Sequence, residues 1–107
     1  RYIGEKELLE RIRLSDMCCI VSTMVTESIE AMVKKDPDLA RKVIADDDQA
    51  DRLFVDIKDR LVGLIRENRT EPQEILDLLM AAKYFERVGD HAVNIAREVA
   101  CFISLRA

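Results

Sequence analysis

"YFERVGDHAVNIARE", residues 84–98, decides how this chain is read. Its apolar residues recur at helical spacing, which predicts a helix packed in a core. Yet Glu86, Gly89 and Asp90 sit in its middle. A glycine inside a helix costs about 1 kcal/mol relative to alanine. A buried carboxylate without a partner costs more. The reason for keeping both must lie in what this helix faces.

The chain around it has 107 residues, enough for one domain, residues 1–107, with one modest core. Nearly half the residues are apolar and 36% are charged, the balance of a soluble globular chain. With only three Gly and two Pro there are few places to turn, so a few long helices are expected rather than many short strands. The net charge of −4 and the absence of a basic stripe argue against nucleic acid, whose phosphates demand a basic partner. No apolar run approaches the ~20 residues that span a bilayer, so no direct membrane insertion is expected. Cys18, Cys19 and Cys101 are an odd count with one adjacent pair. That is no disulfide framework; it fits a reducing cytoplasm, with the thiols as small buried groups. The chain opens on Arg1 with no Met and no signal-peptide pattern, which reads as a piece of something longer.

Two breakers divide the chain. "KKDPD" (34–38) offers Asp36 as an N-cap with Pro37 at the first helical position. "ENRTEP" (67–72) offers Thr70 as an N-cap, Pro72 in the first turn, and Glu71 and Glu74 to suit the helix dipole. Periodicity then predicts helix 1 over about 4–34, helix 2 over about 37–67 and helix 3 over about 71–104, an all-α antiparallel three-helix bundle. Helix 1 carries a stripe of Met17, Ile20, Val21, Met24, Val25, Ile29, Met32 and Val33, read as core.

The other two helices carry heptad-like seams. One runs Val43, Asp47, Ala50, Phe54, Ile57, Leu61, Leu64; the other runs Ile75, Leu79, Ala82, Glu86, Gly89, Val93, Ala96, Ala100, Ile103. Each seam has one acid in a core slot. The turn near Asn68 makes the helices antiparallel, so residues equally far from it share a height. Leu61 then meets Ile75, Ile57 meets Leu79, Phe54 meets Ala82, Ala50 meets Glu86, Asp47 meets Gly89 and Val43 meets Val93. This brings Asp47, Asp51, Glu86 and Asp90 to one level, about 27 Å from the turn at 1.5 Å per residue. In that register Gly89 faces Asp47 and leaves room between the acids.

Four converging anions repel unless a cation neutralises them. Oxygen ligands without cysteine suit Fe, Mn, Mg or Ca, with Zn also admissible, and His91 adjoins the group as a possible nitrogen ligand. The competing reading is an ion-pair network, since Lys83, Arg87 and Arg52 are close neighbours in sequence. Asn94, one turn after Asp90, reads as a hydrogen-bonding or surface group, and Asp46 and Asp48 as solvated acids. No enzyme is expected. The sole histidine lies five residues after Glu86 and not three, as a di-iron carboxylate motif requires, and there is no Gly-rich phosphate loop. No arginine cluster built for phosphate is visible along the chain.

"AKYFERVGDHAVNIARE" (82–98) closely resembles the third-helix signature of a PhoU repeat, commonly K-Y-L-E-R-I-G-D-H-A-x-N-I-A-E. "DDDQADRLF" (46–54) is similar to its helix 2 motif, D-x-x-x-D followed by an aromatic or apolar residue. The resemblance extends over roughly residues 10–105. Phe85 stands for the usual Leu, Val88 for the usual Ile, and Arg97 where Glu is common.

The resemblance implies a cytoplasmic regulator of phosphate uptake and of the phosphate-starvation response. Its implied partners are the ATPase of a phosphate ABC transporter and a phosphate-sensing histidine kinase. It implies E(D)-x-x-x-D metal motifs, here Asp47 with Asp51 and Glu86 with Asp90, binding a metal ion, iron or zinc, as a mononuclear or multinuclear site. Members usually carry two such repeats; one alone would expose the face that meets its twin, so a second repeat or a homodimer is expected. The alternative the resemblance allows is a PhoU-like interaction domain on the cytosolic side of a sodium–phosphate cotransporter, with the acids ion-paired and no metal.

Overall fold

The computed structural model describes residues 2–106, with side chains through Ile103. These residues form four α-helices and no strand: α1 (Glu5–Ile12), α2 (Leu14–Lys34), α3 (Pro37–Glu67) and α4 (Pro72–Arg106). The all-α expectation is met. The count differs from three because the long first helix breaks at Arg13, which adopts a left-handed conformation at φ 64°. No Gly or Pro marks the break, and a non-glycine residue there costs on the order of 1 kcal/mol. Tertiary contacts hold it. Arg13 donates from Nε to Asp16 at 2.9 Å and from Nη1 to Asp56 at 3.1 Å, while Arg60 Nη1 donates to the Arg11 carbonyl at 2.8 Å. Beyond the break α1 continues alongside α3, burying Leu8 and Ile12 completely, and the Ile3 N–H reaches the Arg69 carbonyl at 2.9 Å.

The ends of α3 follow local chemistry. The Asp36 carboxylate accepts from the N–H groups of Asp38 and Leu39, both at 3.1 Å, with Pro37 opening the helix. Asn68 ends it in the left-handed region, its N–H returning to Leu64 and Ile65. Thr70 does not cap α4. Its hydroxyl is buried and without a hydrogen-bond partner, and the Glu71 carbonyl accepts the first helical bond, from Ile75. The helix starts at Pro72, so the residue before it takes the cap position.

Helices α2, α3 and α4 pack on one another pairwise in a rod 61 Å long. The end near the α3–α4 turn is filled by large side chains, among them Ile12, Met17, Phe54, Ile57, Leu61, Leu64 and Leu78. The other end is filled by small ones: Ala31, Ala40, Ala50, Ala92 and Ala96 with Val43, Val93 and Val99. Small contact residues let helix axes come closer.

Two expectations about the core fail. On α2, Ser28 and Ala31 take the inward positions, and Ile29, Met32 and Val33 are exposed. The last turns of α2 pack against the alanine-rich half, where the interior has little room for long side chains. The cysteines are not buried either: Cys19 and Cys101 are exposed, Cys18 is half-buried, and all three are free thiols.

Gly89 is buried within α4 with ordinary helical φ. A Cβ there would meet Val21 Cγ2 at 3.6 Å and Met24 Cε at 3.8 Å, both ordinary contacts. The glycine therefore faces α2 and not Asp47, and its absent side chain leaves no space among the acids. Gly89→Ala should stabilise the fold by roughly 0.5–1 kcal/mol, the helix-propensity difference. Urea denaturation measures it, and a loss of stability would mean that α2 and α4 are packed more tightly than these distances indicate.

Candidate metal centre

Asp47 and Asp51 stand one turn apart on α3, and Asp90 faces them from α4. One carboxylate oxygen of each lies within 4.8 Å of the others. Oxygen ligands sit about 2.0–2.6 Å from Zn²⁺ or Ca²⁺, so two oxygens across one ion are roughly 4–5 Å apart. The donor set is all carboxylate, the chemistry of a hard or borderline cation. The three residues fit such an ion in both spacing and charge.

The electrostatics follow from the packing. Asp47 is half-buried, and its carboxyl is held above the usual range by burial, then by the charges of Asp51, Asp90 and Asp48; Arg97 partly offsets this. Asp51 is pushed the same way by burial, then by Glu86, Asp90 and Asp48. Among the described residues, none of the three has a basic group within ion-pairing distance.

The expected fourth member behaves differently. Glu86 is outside the close group and accepts from Lys83 Nζ at 2.7 Å. Lys83 also lies over the Phe54 ring, 5.1 Å from its centre, with Lys58 at 5.6 Å. Of the cations that could have formed an ion-pair network, Lys83 alone does so. Arg87 stacks on Tyr84 at 5.9 Å, and Arg52 makes no ion pair with Asp51. Asp46 is paired with Lys42 at 3.0 Å. His91 and Asn94 line a groove toward α2 with Met32, Ile95 and Val99, away from the acids. A five-residue step from Glu86 to His91 turns the imidazole well around the helix.

No solved structure matches the chain. A "Phosphate-specific transport system accessory protein PhoU homolog 1" of Thermotoga maritima is 34% identical over 96 residues, which is 89% of this chain and 41% of that protein. Homologs of the same description are 35% identical over 79 residues in Pseudomonas aeruginosa and 29% identical over 84 in Clostridium acetobutylicum. These alignments cover 74% and 78% of this chain, and 33% and 38% of those proteins. The chain thus spans between a third and two fifths of the length of these relatives. Residues 14–99 match the PhoU domain, a stretch that contains both acidic helix segments. On that match the chain belongs to the PhoU family.

Proposed function

We infer that this chain is a regulatory module of phosphate uptake and phosphate-starvation signalling, acting in the cytoplasm through protein contacts. It has no catalytic role in this reading. The relatives named as accessory proteins of phosphate-specific transport systems support it. The partners it fits are the transporter ATPase and a phosphate-sensing histidine kinase. Among the described residues, no helix is long and apolar enough to cross a membrane.

One observation carries the chemical part: three carboxylates from two helices converge, and among the described residues none is in an ion pair. Asp47, Asp51 and Asp90 would hold a metal ion, iron or zinc, and Asp48 and Glu86 would offer further oxygens to a multinuclear site. Bound there, the ion would neutralise the mutual repulsion and tie α3 to α4. A second repeat, or a second copy of this chain, fits the opposite side. Tyr84, Val88 and Phe102 are exposed at spacings that share one face of α4. Met32 of α2, also exposed, lines a groove with Val99 and Phe102.

Metal content of the protein from cells grown with iron and zinc tests the site. The wild type should retain at least one ion per chain, and Asp47→Ala with Asp90→Ala should lose it. Glu86→Ala should have the smaller effect. Equal metal in wild type and double variant would remove the proposal.

The raised carboxyls also set a pH dependence for the metal-free chain. Folded Asp47 and Asp51 hold their protons to higher pH than the unfolded chain does. Stability therefore falls as pH rises from the ordinary carboxylate range through the raised values, and the penalty is complete above them. Asp47→Asn should stabilise the chelator-treated protein at pH 7 by roughly 0.5 kcal/mol, the scale of like-charge repulsion on a helix. The gain should vanish at pH 3. Urea midpoints at the two pH values read it directly.

A further inference from the structure

On the other side of α3 a groove of about 330 Å³ runs against α2, lined by Arg13, Ile20, Gln49, Arg52, Leu53 and Asp56. Its charges are unevenly matched. Arg13 uses Nε on Asp16 and Nη1 on Asp56, which leaves the Nη2 donors over. Arg52 is exposed and makes no ion pair or hydrogen bond among the described residues. Asp56 is held below the usual carboxylate range, with Arg13 and Arg60 both donating to its Oδ2. Its negative charge is thus balanced twice over, and Oδ1 accepts from neither arginine.

We propose that this groove binds inorganic phosphate, with Arg13 and Arg52 on the anion's charged oxygens, Gln49 donating its amide, and Asp56 Oδ1 accepting the phosphate's own proton. Planar guanidinium forks match tetrahedral oxyanions well. The carboxylate decides which oxyanion. Phosphate near neutrality keeps at least one proton and can donate to Oδ1. Sulfate keeps none, and would meet the carboxylate as a repulsive neighbour. Ile20 and Leu53 line the same groove. The proposal is independent of the acidic group on the α3–α4 side.

The test is an NMR titration of the isotope-labelled chain with sodium phosphate, in buffer with chelator and at constant ionic strength. Removing metal first keeps a bridged phosphate at the acidic group from contributing. The Arg52 side-chain N–H and the Gln49 amide should shift saturably. Arg52→Gln, an exposed substitution that breaks no ion pair or hydrogen bond among the described residues, should weaken binding about tenfold, the scale of one charged hydrogen bond. Sulfate should bind about tenfold more weakly than phosphate, for loss of the bond to Oδ1. Asp56→Asn should narrow that gap; if it unfolds the chain, the sulfate comparison still decides. Shifts that do not saturate, that persist unchanged in Arg52→Gln, or that are equal for sulfate would overturn the proposal.

Discussion

The antiparallel register of α3 and α4 is the constraint on which the rest depends. Asn68 in the left-handed region and Pro72 four residues later return the chain tightly, and from there every height along the two helices is set. Leu61, Ile57, Phe54 and Val43 are buried on one helix, and Ile75, Ala82 and Val93 on the other. Sliding one helix by a residue would turn its apolar seam out of the core. The same register that fills the core fixes Asp47 and Asp51 opposite Asp90. The acids come together because apolar packing leaves them no other place.

That arrangement is costly, and the alanine-rich half of the core makes it more so. Ala50, Ala92 and Ala96 fill this half of the core, which lets the helices carrying the acids draw close. Close approach of like charges in partly desolvated surroundings raises the carboxyls. Several other acids are neutralised by basic side chains. Glu27 and Asp46 share Lys42, Glu67 pairs with Arg11, and Glu86 pairs with Lys83. The unpaired triad stands out against that background. Burial and like charge raise Asp47 and Asp51 together, and at Asp47 the charge of Arg97 offsets only part of the rise. The two sides of α3 thus differ: three carboxylates gather toward α4, while toward α2 Arg13 and Arg60 are paired with Asp16 and Asp56 and Arg52 is left over.

Where sequence reading failed, the cause was direction around a helix or a contact distant in sequence. Gly89 sits in the apolar seam, but its missing Cβ points at Val21 and Met24. Seams are strips about 100° wide, so membership in one does not say which neighbour a residue meets. Ile29, Met32 and Val33 continue the apolar pattern of α2 yet lie outside, because Ser28 and Ala31 fit the narrow half of the core. Ser28 is tolerated there because its hydroxyl donates to the Val25 carbonyl at 2.8 Å. The break at Arg13 is marked by no Gly or Pro, and of the contacts that hold it only Asp16 is near in sequence. Asp56 and Arg60 reach it from more than forty residues away.

The sequence by itself determined the helical class, the ends of α3, the antiparallel α3–α4 pairing and the level at which acids gather. These follow from periodicity, capping chemistry and chain length, all of which act within a few turns of helix. The signature in 82–98 marked the family for the same reason: it is a local pattern. Tertiary structure decided which acids converge: Asp47, Asp51 and Asp90 come together across α3 and α4, while Glu86 stays outside the group, paired with Lys83 one turn before it. It alone brought Arg13, at the break between α1 and α2, to the groove lined by Arg52 and Asp56 of α3. Side chains compete for partners across helix faces, and that competition has no period in the sequence.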